Sequence, residues 1–122
     1  MSGHNLNYQL AENYNKVQED PGDAGTLETQ YSDVIHELVT AGAETRSLAT
    51  PGKAGLRQSI YLKTDGGDVV ITGSGSEVFW DGTTAHTQIT LNTVRDFITV
   101  VSTYSGSTIG WTVVENAGAA LA

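Results

Sequence analysis

The chain has 122 residues, no cysteine, 14 glycines and a formal net charge of −8. That length makes one domain with one modest core, and without cysteine there is neither a disulfide framework nor a thiolate metal site. The negative charge speaks against nucleic acid as a partner, because phosphates repel it. No apolar run approaches the roughly 20 residues of a membrane span, and the N-terminal MSGHNLNYQLAEN lacks the basic and apolar regions of a signal peptide, so no membrane partner is expected either.

Residues 1–26 are polar, with Leu6, Tyr8, Leu10 and Tyr14 spaced through them. The alternation at 6, 8 and 10 suits an extended arm, and tyrosine supplies contact area at low entropic cost. Gln18 to Gly25 is an acidic turn or linker around Pro21-Gly22. The first fifty residues hold eight acids against Lys16 and Arg46, leaving −6, while residues 51–122 carry −2. An acidic front half would suit a basic partner surface, or simply keep the protein in solution.

From Leu27 the pattern becomes β. The stretch TLETQYSDVIHELVTA reads either as a helix capped by Ser32 or as a strand, and the strand is favoured because everything after it alternates. Ala41-Gly42 then turns into Glu44–Leu48, and Ala49–Gly55 is a loop. Strands follow at Arg57–Thr64, Val69–Thr72, Glu77–Trp80, Thr87–Leu91, Asp96–Val101 and Trp111–Val114. Asp65-Gly66-Gly67-Asp68 reads as a tight hairpin turn, and Tyr104–Gly110 as another turn. The expected organisation is an arm (1–26), an all-β antiparallel sandwich or barrel (27–116) and a small-residue tail (117–122) that is frayed or lies on a neighbour. About a dozen inward positions make a marginal core, so association is expected to add stability and to cover sheet edges that nothing in the sequence guards.

No catalytic pattern stands out. His4, His36 and His86 lack metal-ligand spacing. Asp65, Asp68 and Asp81 flank glycines, but the calcium-loop pattern is absent and turn chemistry accounts for them. Gly73–Ser76 (GSGS) has no following Lys-Ser/Thr, so it is not a phosphate loop. Glu37 with Glu44, or Asp96 with Glu115, offers a carboxylate pair by residue type alone. Trp111 is in phase with Val113 and belongs to the core. Trp80, ending a strand beside a turn, and Tyr104 are the candidate surface contacts.

The stretch from Leu48 to Gly118 resembles the capsid decoration, or cement, proteins of tailed bacteriophages, of the small β-barrel or "tulip" type. The features are Leu48-Ala49-Thr50-Pro51, a strand from Ile60 to a double glycine ending at Gly67, Val69–Thr72, the Asp96/Ile98/Val100 segment, and Trp111, Val113, Asn116 and Gly118 after Gly106–Gly110. These are loose β-patterns rather than catalytic signatures. The resemblance implies a homotrimer on the outer surface of the virion head, clamping adjacent major capsid proteins, with no enzyme activity and no cofactor. Leu6, Tyr8, Leu10 and Tyr14 would then be the capsid-binding arm, and Trp80 and Tyr104 an interface between subunits or with the capsid. Similar β-patterns occur in phage fibres and spikes, so the alternative is a receptor- or glycan-binding module that uses Trp80 and Tyr104. A glycoside hydrolase would need a carboxylate pair facing a cleft.

Overall fold

A computed structural model describes residues 16–122. The protein is all-β, with strands β1 (Val17–Gln18), β2 (Gly25–Leu27), β3 (Val34–Val39), β4 (Glu44–Leu48), β5 (Arg57–Thr64), β6 (Val69–Gly73), β7 (Phe79–Trp80), β8 (Ala85–His86), β9 (Ile89–Leu91), β10 (Phe97–Ser105), β11 (Thr108–Ala117) and β12 (Ala120–Leu121). They form a seven-stranded sheet in the order β1-β3-β5-β10-β11-β7-β8 and a five-stranded sheet in the order β12-β9-β6-β4-β2.

Alternation makes these strands. In β3, Val34, His36 and Leu38 are buried while Ile35 and Val39 are exposed. In β5, Gln58, Ile60 and Leu62 point inward. Both sheets feed one core: Leu38, Ile60, Leu62, Phe79, Ile98, Val100 and Trp111 come from the larger sheet, and Leu27, Leu48, Val69, Ile71, Ile89 and Leu91 from the smaller. Each such side chain contributes roughly 1.5–3 kcal/mol by leaving water. The Nε1–H of Trp111 is the one cost recorded there, a buried donor with no partner among the described residues.

Strand direction departs from the antiparallel expectation. β1, β3 and β5 run parallel in the larger sheet, and β2, β4 and β6 run parallel in the smaller. The chain therefore crosses between sheets at every step through this half, stacking three similar rungs. Antiparallel pairing begins only where β10 joins β5 and β9 joins β6. Asp65–Asp68 is consequently not a hairpin but an arch from one sheet to the other. Its glycines serve close approach rather than positive φ. A Cβ on Gly66 would collide with the Thr40 carbonyl, and one on Gly67 with the Gly42 backbone of the arch below. The Thr40 hydroxyl binds the two arches together, accepting from Gly66 N (3.0 Å) and Gly67 N (3.1 Å) and donating to Gly67 O (2.7 Å). Hairpins occur instead at β7–β8 and at β10–β11, whose strands continue to Ser105 and Thr108, with Gly106 at φ 64° in a two-residue loop.

Both expected boundaries move outward. Residues 16–26 belong to the domain, because β1 and β2 pair with β3 and β4 and Asp20 closes on Arg46. The segment 117–122 is tied down as well: β12 pairs with β9, Leu121 packs on the core, and Ala122 exchanges backbone bonds with Gln88. The edges are also better guarded than expected. Among the described residues the four edge strands (β1, β8, β2 and β12) are two or three residues long, which limits edge-to-edge pairing.

Arg46, on the inner face of β4, joins the first two rungs. Its guanidinium is fully buried and donates through Nε and Nη2 to both oxygens of Asp20 (2.6 Å each) and through Nη2 to Glu44 (2.8 Å). Asp20 also accepts from the N–H of Val39 and Gly22, and Glu44 from that of Ala41. Burial pushes the Asp20 carboxyl up, but the bonds from Arg46, Val39 and Gly22 outweigh it and leave its pKa lowered. A second buried polar chain runs from His36 Nε2–H to Gln58 Oε1 (2.8 Å), and from Gln58 Nε2 to the Tyr31 carbonyl (2.6 Å). Burial lowers the His36 pKa against the opposing pull of Gln58.

Two outcomes follow for stability. Arg46→Met strands the Asp20 carboxylate and should cost about 3–5 kcal/mol in urea unfolding at neutral pH, whereas Lys63→Met at the exposed Lys63–Glu37 pair should leave the unfolding midpoint nearly unchanged. As pH falls through 6.5, the ordinary histidine value, the unfolded chain takes up a proton at His36 that the folded chain refuses. Stability should therefore fall from pH 7 towards about 5, and His36→Gln should flatten that slope; an unchanged slope would remove His36 as its source.

Candidate functional site

A groove of about 680 Å³ lies between the β10–β11 hairpin, β7 and the segment leading into it. Register shows how it is built. Thr112 of β11 lies between Val101 of β10 and Trp80 of β7, and Ala85 of β8 follows Trp80. In the adjacent row Gly110 faces Thr103 on one side and runs beside Val78 on the other. Where β11 would carry a side chain between Thr103 and Val78, Gly110 has none, and this opens a trough in the sheet surface. A Cβ there would lie 3.3 Å from the Val78 carbonyl, close but short of a collision.

The walls combine apolar planes with hydroxyls. Trp80 is 43% exposed and Tyr104 61%. The Thr103 and Thr112 hydroxyls are 2.6 Å apart, so one donates to the other and a single O–H remains to offer outward. Glu77 is the one carboxylate in the lining, and its oxygens are occupied by Gly75 N (3.0 Å) and the Thr50 hydroxyl (3.1 Å).

Beside the groove, β7 and β8 are joined by a turn built on Asp81. Its carboxylate accepts from His86 Nε2–H (2.7 Å), the N–H groups of Thr84 (2.7 Å) and Thr83 (2.8 Å), and the Thr83 hydroxyl (3.0 Å). The His86 bond first, and then the two backbone bonds, hold the Asp81 pKa far below the usual carboxylate range. Every one of these bonds closes the turn on itself, so the cluster holds the β7–β8 connection together.

The structure thus places Trp80 and Tyr104, remote in sequence, on one groove. Leu6, Tyr8, Leu10 and Tyr14 lie outside the described residues, as does His4. Neither carboxylate pair forms: Glu37 accepts from Tyr61 and Lys63, Glu44 from Arg46 and Ala41, Asp96 from Asn92 and Thr93, and Glu115 from Arg57. Among the described residues no group of three or more His, Asp or Glu side chains is placed to hold a metal, and no helix is long and apolar enough to cross a membrane. Sequence reasoning missed Gly110, which it absorbed into a turn; its signal was a lone glycine between Ile109 and Trp111. No protein-family model and no curated protein matches the chain.

The Asp81 turn is directly measurable. In a carbon-13 titration of side-chain carboxyls, Asp81 should still be ionised well below pH 3.8, the ordinary aspartate value, and His86→Ala should move its midpoint back towards that value.

Proposed function

We propose that this chain is a structural virion protein that coats the outer surface of a tailed-phage head as a homotrimer and clamps neighbouring major capsid proteins. The observation that carries this is the outer face of the larger sheet at its β1 edge. Val17 pairs in register with Ile35, and both are exposed, as are Val39 further along β3 and the neighbouring Tyr31. Exposed apolar strips of this kind mark contact surfaces. Residues 1–15, with Leu6, Tyr8, Leu10 and Tyr14, continue the chain from this same edge. Arm and strip together would present one continuous adhesive surface, and trimer avidity would multiply a modest contact.

The acidic front half supports this less than its charge suggests. Asp20, Asp23 and Glu44 surround the buried Arg46, so they are already partnered inside the domain. The contact proposed here is therefore apolar first and electrostatic second.

Removing residues 2–15, which stops short of β1, should leave circular dichroism and melting unchanged and abolish binding to expanded heads. Truncated protein that still decorates heads like the full chain would sink the arm assignment. Light scattering should give three times the 12.9 kDa chain mass, and a monomer at virion-like concentration would count against the trimer.

A further inference from the structure

We infer that the Trp80 groove is a binding site for a neutral saccharide, taken by stacking a pyranose ring on the Trp80 indole over the gap left by Gly110. The inference is independent of the capsid reading and holds for a monomer or a trimer.

Three observations converge on this ligand class. The first is the exposed indole. Trp80 is held on a short strand between Thr112 of β11 and Ala85 of β8, so its backbone is fixed from both sides while its side chain remains 43% exposed. A rigid aromatic with a small neighbour such as Ala85 leaves its face open to a flat apolar surface. The C–H face of a pyranose is such a surface, and stacking on an aromatic ring costs little conformational entropy.

The second is the absence of a side chain at Gly110. A glycine in the interior of a strand marks a place where something approaches the backbone closely. Gly110 has no positive φ, so its backbone conformation does not require glycine. On one side the Val78 backbone approaches it, 3.3 Å from where a Cβ would lie, and beside that contact Gly110 lines the groove with backbone alone. A ring lying against Trp80 would extend over this floor.

The third is the polarity of the walls. Thr103 and Thr112 hold each other at 2.6 Å and keep one hydroxyl proton and several lone pairs to offer. Ser76, Ser105 and Thr108 add hydroxyls along the groove. Among the described residues no Lys or Arg lines it, and Glu77 already accepts from Gly75 and Thr50. A phosphate or an acidic sugar would find no cation there, and a cationic ligand no free carboxylate. Hydroxyl against hydroxyl, with an aromatic platform, is the complementarity of an uncharged sugar.

The test is a panel of neutral gluco-, galacto- and manno-configured oligosaccharides, screened with the full chain on an array and titrated in solution by tryptophan fluorescence. Trp111 also lines the groove, so affinities, that of Trp80→Ala included, are read by calorimetry beside the emission change. The expected result is saturable binding of at least one neutral oligosaccharide. Trp80→Ala should weaken it about tenfold or more, as loss of an aromatic anchor does, and Trp80→Phe should restore part of it. Gly110→Val should abolish it by filling the floor, and Gly110→Ala, whose single methyl the Val78 carbonyl nearly tolerates, should weaken it if the valine variant fails to fold. Val94→Ala, exposed in the β9–β10 connection and outside the groove, should leave it unchanged. Binding of no neutral saccharide, or binding indifferent to Trp80→Ala and Gly110→Ala, overturns the assignment. So does a Trp80→Ala variant that binds no sugar but loses self-association, which gives the groove to a second copy of the chain.

Discussion

The first two rungs of the fold depend on one buried cation. Arg46 brings a full charge into the space between the sheets, and that is tolerable only because the charge is shared at once with Asp20 and Glu44 and the remaining N–H groups reach the Thr45 and Val39 carbonyls. Desolvating such a group costs several kcal/mol, so the geometry must be complete for the pair to stabilise anything. It is complete only when the first rung lies in register on the second, because Asp20 comes from the β1–β2 connection and Arg46 from β4. An apolar residue at this position would pack with less penalty but would not choose a register. Parallel strands with short side chains slide easily, and a bidentate ion pair that also fixes the Val39 N–H removes that freedom.

The same dependence on distant partners explains which parts of the fold could be read from the residues. Alternation at Val34–Val39 and Arg57–Thr64 shows which side chains face inward whether a neighbouring strand is parallel or antiparallel, so the inward set was legible and the direction was not. Direction is set by whether a turn reverses the chain within a sheet or carries it to the other sheet, and Gly66-Gly67 is compatible with both. What distinguishes them is the Thr40 hydroxyl and the Gly42 backbone pressing on those glycines from an earlier arch, a contact no local pattern records. The helix-or-strand ambiguity at 27–40 resolves to strand over Val34–Val39, with a loop at 28–33, for the same tertiary reason: β3 lies between β1 and β5 and hydrogen-bonds to both. Residues 117–122 look featureless because alanine carries little pattern, yet β12 is held by its backbone and by Leu121.

The groove was half legible. An aromatic that ends a strand next to Asp-Gly is conspicuous, and so is Tyr104 just before a glycine turn. That both border the groove depends on β7 pairing in parallel with β11, which puts Trp80 beside Thr112 from a distant part of the sequence. Gly110 was invisible for an instructive reason. In a chain with 14 glycines, most of them in turns, a strand glycine is camouflaged by its neighbours Gly106 and Ser107. Only the register, with Thr103 opposite and Val78 alongside, shows that its missing side chain shapes the surface and turns nothing.

Edges and faces then divide the labour of contact. A sheet that ends in strands of two or three residues offers a neighbouring chain few unpaired backbone groups, and β12 and β8 close the sides where longer strands would invite pairing. Strand addition is correspondingly poor at the four edge strands themselves, although β7 pairs only with Trp111 and Thr112, so among the described residues no strand lies beside Val113–Ala117 of β11 on that side. The exposed apolar area is instead on the outer face of the larger sheet, at Val17, Ile35 and Val39 near one edge and at Val78 and Trp80 near the other. Two patches at opposite ends of one sheet, the first interrupted by Glu37 between Ile35 and Val39 and separated from the second by Arg57 and Lys63 of β5, can be occupied at the same time without competing. A partner of such a molecule would meet side chains on the outer face of a sheet, and specificity would then reside in which side chains that face presents.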